Sequence, residues 1–315
     1  MNNSNFKSGL AAAFASAAII LSSCAGGKAP AIVSVEGGQL QGVETEYPGV
    51  YVFKGVPFAA APVGDLRWKA PQPVTPWEGV KVADTYGPGA YQAKHDSSNP
   101  WTSEFYMNDS EFSEDCLYLN VWTKAPGKTD RKLPVAMWIH GGAYTGGWGY
   151  EIEFDGKEWA GKDVVLVTIN YRLGIFGFLN HPFLAAESEQ GVSGNYGILD
   201  QIAALKWVYN NIEQFGGDPD NITIFGQSAG AGSVKTLVSS PLTGNMIKKA
   251  IIQSGGGVSD LRTTRTSLPS ARIPRRYSTG PASTRSRRCA LPLPRRFSAL
   301  LLPMPRLPAT GRPGS

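Results

Sequence analysis

Residues 221–238 read NITIFGQSAGAGSVKTLV and contain a complete strand–turn–helix unit. Residues 221–225 are a short β-branched and aromatic run bounded by turn residues, the pattern of a strand. Residues 229–238 are small and apolar residues that can continue as a helix packed close to its neighbours. Between them, Gly226-Gln227-Ser228-Ala229-Gly230 has the G-x-S-x-G form, in which a sharp strand-to-helix turn lifts a serine hydroxyl clear of a sheet. Gly226 and Gly230 leave room for that strained turn. Ser228 is therefore a candidate nucleophile.

Working outward, residues 117–122, 135–139, 164–169, 222–225 and 250–252 are short apolar runs bounded by turn residues, as buried strands are. Between the third and fourth, Ile198, Ile202, Leu205, Tyr209 and Ile212 recur at helical spacing and predict one apolar helix face. Strands alternating with helices predict an α/β fold, a mostly parallel central sheet with helices on both faces. Residues 31–58 predict small antiparallel strands, and residues 59–115, rich in Pro, Gly, Trp and Tyr, predict long ordered loops of the kind that carry binding surface. The strand at 135–139 runs into His140-Gly141-Gly142-Ala143-Tyr144, a histidine and glycine loop of the type that supplies oxyanion-hole amides. This loop and the Ser228 turn belong to one mechanism, acyl transfer. Negative charge develops on a carbonyl oxygen there, and each preorganised donor is worth ~10²–10³ in rate.

The 315 residues are 42% hydrophobic, ample for a core, and the net charge of +5 is unevenly placed. Up to residue 260, 18 Lys and Arg stand against 25 Asp and Glu, a net charge of −7. The last 55 residues hold 12 Arg and 9 Pro with no acidic residue and no Lys. The basic balance thus belongs to the C-terminal segment alone. That segment, 261–315, is expected to be disordered and reads as the product of a GC-rich gene translated in the wrong frame. The alternative, a nucleic-acid or anionic-membrane arm, predicts steeply salt-dependent binding lost on deleting it. No nucleic-acid partner is expected.

At the other end, Lys7, an apolar run over residues 9–21 and the small residues Ser22 to Gly26 form an export signal, too short for a comfortable membrane span. Leu21-Ser22-Ser23-Cys24 resembles a bacterial lipobox, which implies acylation of Cys24 and a membrane-anchored lipoprotein. An ordinary cleaved signal would instead leave a periplasmic or extracellular protein. Cys116 then stands alone in the body, and a buried free thiol is expected there. The expected organisation is an export signal at 1–24, an enzyme body at 25–260 and the Arg- and Pro-rich segment.

Residues 31–257 resemble the type-B carboxylesterase family, which includes cholinesterases and bacterial para-nitrobenzyl esterases. The resemblance rests on Phe53-Lys54-Gly55-Val56-Pro57-Phe58-Ala59, Pro62-Val63-Gly64-Asp65-Leu66-Arg67-Trp68 and Ser113-Glu114-Asp115-Cys116-Leu117-Tyr118-Leu119-Asn120-Val121. It continues through Asn170-Tyr171-Arg172-Leu173-Gly174, residues 194–201, and Phe215-Gly216-Gly217-Asp218-Pro219 on to Gly230. It implies an α/β-hydrolase fold, here truncated after the nucleophile turn and the following strand. It also implies hydrolysis of small-molecule carboxylic esters through an acyl-serine, with neither cofactor nor metal. Residue by residue, it makes Ser228 the nucleophile and the amides of Gly142, Ala143 and Ala229 the oxyanion hole. His140 would position the loop, and Arg67 with Glu114 and Arg172 with Asp200 would form buried salt bridges.

Three departures qualify that expectation. Ala90 stands where the family often has a cysteine paired with the position of Cys116, and Gln227 replaces the more usual glutamate. Most seriously, the family order is serine, acid, histidine, and after Ser228 the sequence has only Asp260 as a carboxylate and no histidine. A chain with little activity is expected. A non-catalytic esterase-like binding module is the rival reading.

Overall fold

The computed structural model describes residues 30–94 and 110–255. The export segment with Cys24, and His95, Asp260, Cys289 and the segment from 261 onward, lie outside these residues. Among the described residues, no helix is long and apolar enough to cross a membrane.

The chain opens on an antiparallel meander, β1 (Ala31–Val35), β2 (Gly38–Glu44) and β3 (Tyr51–Pro57). The loop-rich stretch that follows holds more strand than its composition suggested. β4 (Val80–Val82) pairs parallel with β2, and β5 (Gly89–Ala90) pairs with β6 (Phe112–Ser113) in a separate two-stranded sheet. These pieces are too short for apolar alternation to reveal. The central strands are β7 (Tyr118–Thr123), β8 (Leu133–Ile139), β9 (Val165–Ile169), β10 (Gly217–Gln227) and β11 (Lys249–Gln253). In space the main order is β1-β2-β3-β7-β9-β8-β10-β11. Pairing is antiparallel as far as β7–β9 and parallel from β9 through β8 and β10 to β11.

The helices are α1 (Lys157–Gly161), α2 (Gly174–Phe178), α3 (Pro182–Ala186), α4 (Tyr196–Asn211) and α5 (Ala229–Val238). Alternate residues of each strand face opposite sides of the sheet. Val135, Met137 and Ile139 of β8, with Val167, Ile222 and Ile224, pack under Ile202, Leu205 and Val208 of α4 and Val234 and Leu237 of α5. On the other face, Ala136, Leu166 and Trp122 pack with Ala160 of α1. The connections after β8 and after β9 therefore lie on opposite faces, and β8 is flanked by β9 on one side and β10 on the other. Such a switch in strand order opens a crevice at the carboxyl ends of the strands.

Two expectations need correction. The buried face of α4 includes Gly197, Asp200, Gln201, Ala204 and Val208, whereas Tyr209, assigned to the apolar face, is 37% exposed. Ile202, Leu205 and Ile212 are buried as expected, and the buried face is wider than hydrophobic spacing alone marks because Asp200 is buried by a partner and Ala204 by size. The run at 250–252, expected as a buried strand, lies in β11, all five of whose residues are exposed.

Candidate active site

Parallel pairing of β8 with β10 sets Ile139 opposite Gly226, so both strands reach the same edge and leave the sheet side by side. From Ile139 the chain enters the His140 to Gly142 loop. From Gln227 it turns through Ser228 into α5. Ser228 has φ 54° and ψ −120°, a strained setting for a residue with a side chain. The turn is tight because the glycines let it be. A Cβ on Gly230 would lie 2.0 Å from the Ile139 carbonyl oxygen, and one on Gly226 would lie 2.7 Å from the same atom. A Cβ on Gly141 would lie 2.9 Å from the Gln227 carbonyl oxygen and 3.4 Å from Ser228 Cβ, so the glycine loop packs directly on the serine turn.

Ala229 is the first residue of α5, and its N–H has no intrahelical acceptor. Among the described residues, neither the Gly142 nor the Ala143 amide donates to a protein acceptor. Ala143 and Tyr144 have φ of 54° and 62°, values that turn successive amides along one side of the loop. The positive end of the α5 dipole also falls at Ser228, where developing negative charge is favoured. The site thus sets a serine with a strained backbone beside a glycine loop whose Gly142 and Ala143 amides are uncommitted.

His140 is buried, its Nδ1 lies 2.9 Å from the Gly141 carbonyl oxygen, and its ring stacks on Tyr171 at 4.4 Å. Desolvation lowers its pKa to about 4, so the imidazole is neutral at ordinary pH and braces the loop. The Tyr171 hydroxyl donates to the His140 carbonyl oxygen at 2.9 Å. His181 Nδ1 accepts the Phe183 N–H and caps α3. Neither imidazole bonds to Ser228.

Neither of the two expected ion pairs involves the serine. Arg172 meets Asp200 through Nε at 2.8 Å and Nη2 at 2.6 Å, with both side chains buried. Arg67 meets Glu114 through Nε at 2.5 Å and Nη2 at 2.6 Å, but the two side chains remain 10% and 22% exposed. The first pair is thus buried and the second only partly so. Cys116, Ala90 and both arginines line one small void between the pairs, and Cys116 is a buried free thiol whose pKa desolvation pushes well up.

Two further groups support the loop without having been singled out in the sequence. Asn170 Oδ1 accepts the Gly149 N–H at 2.7 Å, and Glu151 Oε1 accepts the Trp148 N–H at 3.0 Å. Burial raises the Glu151 carboxyl to about 8. Asn170 stood within a quoted motif. Glu151, an acid amid aromatic and turn residues, carried no signal. Among the described residues, no three His, Cys, Asp or Glu side chains converge as a metal site needs.

Comparison with known proteins finds esterases. The chain is 47% identical over 232 residues to the fumonisin B1 esterase of Sphingopyxis macrogoltabida, covering 72% of this chain and 40% of that protein. It is 44% identical over 225 residues to the para-nitrobenzyl esterase of Bacillus subtilis (strain 168), covering 71% of this chain and 43% of that one. Among solved structures, a para-nitrobenzyl esterase superposes with a TM-score of 0.63 at 44% identity, over 71% of this chain and 44% of that one. The Geobacillus stearothermophilus carboxylesterase does so with a TM-score of 0.62 at 46% identity, over 72% of this chain and 44% of that one. These esterases have the α/β-hydrolase fold, and so does this chain, which spans about two-fifths of the length of the curated relatives it matches. With the carboxylesterase family model matching residues 29–277, the chain belongs to the carboxylesterase family.

Proposed function

We propose that the chain carries the nucleophile and oxyanion half of a serine carboxylic ester hydrolase. The observation that carries this reading is the strained Ser228 backbone beside the glycine loop, with the amides of Gly142, Ala143 and Ala229 uncommitted. In the proposed reaction, Ser228 Oγ attacks the ester carbonyl carbon and the three amides hold the oxyanion. Collapse expels the alcohol to leave an acyl-serine, which water then hydrolyses. No step in this scheme calls on a cofactor. The names of the relatives, esterases of fumonisin B1 and of para-nitrobenzyl esters, support a small-molecule ester as substrate.

The attack also needs a group to take the Oγ proton. Both described imidazoles are engaged elsewhere, and no histidine follows Ser228 in the sequence. Turnover is therefore proposed to be residual, ~10³–10⁴ over water, as the oxyanion hole and binding alone supply. The same observation favours a second reading, a binding module that holds esters without turning them over. In either case, acylation of Cys24 is proposed to anchor the exported protein to a bacterial membrane. Cys24→Ala should then move it out of the membrane fraction.

The deciving experiment for catalysis uses p-nitrophenyl acetate and a fluorophosphonate probe on the purified 315-residue chain. Slow release of p-nitrophenol and an adduct mapped to Ser228, both lost in Ser228→Ala, are expected. Equal turnover by the Ser228→Ala protein would remove this serine from the mechanism. Retained ester binding without release would favour the binding module.

A further inference from the structure

The loop that holds the Gly142 and Ala143 amides has a backbone that does not sustain itself. Gly142, Ala143 and Tyr144, with φ of 90°, 54° and 62°, are three consecutive residues in the left-handed region, and two of them have side chains. The Gly142 carbonyl accepts N–H groups from Thr145 at 2.9 Å and Gly146 at 3.1 Å, which closes the turn. A Cβ at Gly142 would lie 2.0 Å from the Gly146 oxygen. Conformations of this kind persist only where the surroundings over-determine them.

The surroundings hold the loop at its start, middle and end. At its start, the Tyr171 hydroxyl holds the His140 carbonyl. In the middle, the Gly174 N–H donates to the Tyr144 carbonyl at 2.7 Å. At its end, the side chain of Gln92 reaches across 55 residues of sequence to grip the Gly147 peptide on both sides. Gln92 Nε2 donates to the Gly147 carbonyl at 3.0 Å, and Gln92 Oε1 accepts the Gly147 N–H at 2.9 Å. The second proton of Nε2 goes to the Ala90 carbonyl at 3.1 Å, which fixes the amide against β5. This arrangement selects glutamine. A carboxylate could accept the Gly147 N–H but would face the Gly147 and Ala90 carbonyls with no proton to give. Asparagine is one methylene too short.

We propose that Gln92 is a positioning residue for the oxyanion loop. By clamping Gly147 it fixes the far end of the 142–146 turn and so keeps the Gly142 and Ala143 amides aimed at the ester carbonyl beside Ser228. Its effect on rate rests on the acyl-transfer reading given above. Its effect on the loop does not.

The test compares the full chain with Gln92→Ala and Gln92→Glu, by hydrogen exchange with mass spectrometry and by hydrolysis of p-nitrophenyl acetate. In Gln92→Ala, exchange over residues 141–149 should quicken at least about tenfold while residues 229–238 keep their protection. Any turnover should fall through kcat, with KM within about twofold and a loss no larger than the ~10²–10³ that removing an oxyanion donor costs. Gln92→Glu should behave like Gln92→Ala while its carboxyl is ionised. It should regain loop protection once acidified, because a protonated carboxyl, like an amide, both donates and accepts. A residue that merely fills space would not give that pH-dependent rescue. Unchanged exchange over 141–149 in Gln92→Ala would overturn the proposal, as would loosening spread evenly over the chain. If Gln92→Ala does not fold, Gln92→Glu decides, and equal protection at both pH values would overturn the proposal. Absence of wild-type turnover would count against the esterase reading alone, since the exchange measurement still reports on the clamp.

Discussion

At the residue scale the molecule concentrates cost where its chemistry is proposed. The Ser228 backbone alone costs about 1–3 kcal/mol, a sizeable part of the ~5–15 kcal/mol by which domains are stable. Buried charge adds to it. Removing one partner from the Arg172 and Asp200 pair, as in Asp200→Asn, should destabilise by ~3–5 kcal/mol because the guanidinium is left buried and alone. Arg67→Ala should cost less, about 1–3 kcal/mol, since water reaches Glu114. Urea unfolding of the two variants checks the order, and a reversal would mean that burial does not set the cost. Glu151 makes a pH prediction. Its carboxyl is raised from 4.5 to about 8, so the folded protein holds a proton that the unfolded chain releases, and stability falls as pH rises through that interval. His140, lowered from 6.5 to about 4, acts in the opposite sense, adding stability as pH rises from 4 to 6.5. Between pH 6.5 and 8 the His140 contribution is complete while that of Glu151 continues, at most ~1.4 kcal/mol per pH unit. Glu151→Gln should flatten the decline between pH 6.5 and 8. A slope that survives the substitution would show that another group causes it.

At the scale of elements, the site depends on how closely α5 approaches β8. Gly230 touches the Ile139 carbonyl oxygen so closely that an added methyl group must push helix and strand apart. Gly230→Ala should therefore cost ~1–3 kcal/mol or more by overpacking. It should also slow fluorophosphonate labelling of Ser228 beyond what the fall in melting temperature explains. Normal labelling in a destabilised protein would separate packing from chemistry. The strands around this contact were legible in sequence to within a residue or two, except where β10 extends back to Gly217 past an irregular register. Runs such as 135–139 are uniformly apolar because both faces of β8 are covered. The α4 face was read too narrowly because a helix packed on a sheet buries small and paired polar residues as readily as leucines. Arg172 must be in place before Asp200 counts as a core residue, and the helical spacing of 196–211 contains no mark of it.

At the largest scale, the parallel half of the sheet ends, among the described residues, in β11. Among the described residues it pairs only with β10, and Ile251 and Ile252 are 48% and 44% exposed. An uncovered apolar edge strand is a template for pairing with other chains. The purified protein should therefore associate in a concentration-dependent way, and Ile251→Lys should suppress this in light scattering without lowering the melting temperature by more than about a degree. Unchanged association in Ile251→Lys would place the sticky surface elsewhere. The outward face of β10 is only partly covered as well, with Thr223 and Phe225 half-buried.

The alternation of strand and helix, the G-x-S-x-G turn and the glycine loop are legible in the amino acids alone, because each depends on residues adjacent in the chain and on their local backbone preferences. Gly226, Ser228 and Gly230 announce a strained turn wherever they stand between a strand and a helix. Only the tertiary structure decided what surrounds that turn. That Ile139 lies opposite Gly226, that Gln92 grips Gly147, that Tyr171 braces His140 and that Glu151 is buried near neutrality all depend on contacts between residues distant in the chain. Nothing in the spacing of Gln92 and Gly147 marks them as partners. They meet because the chain just past β5 lies against the loop that follows β8.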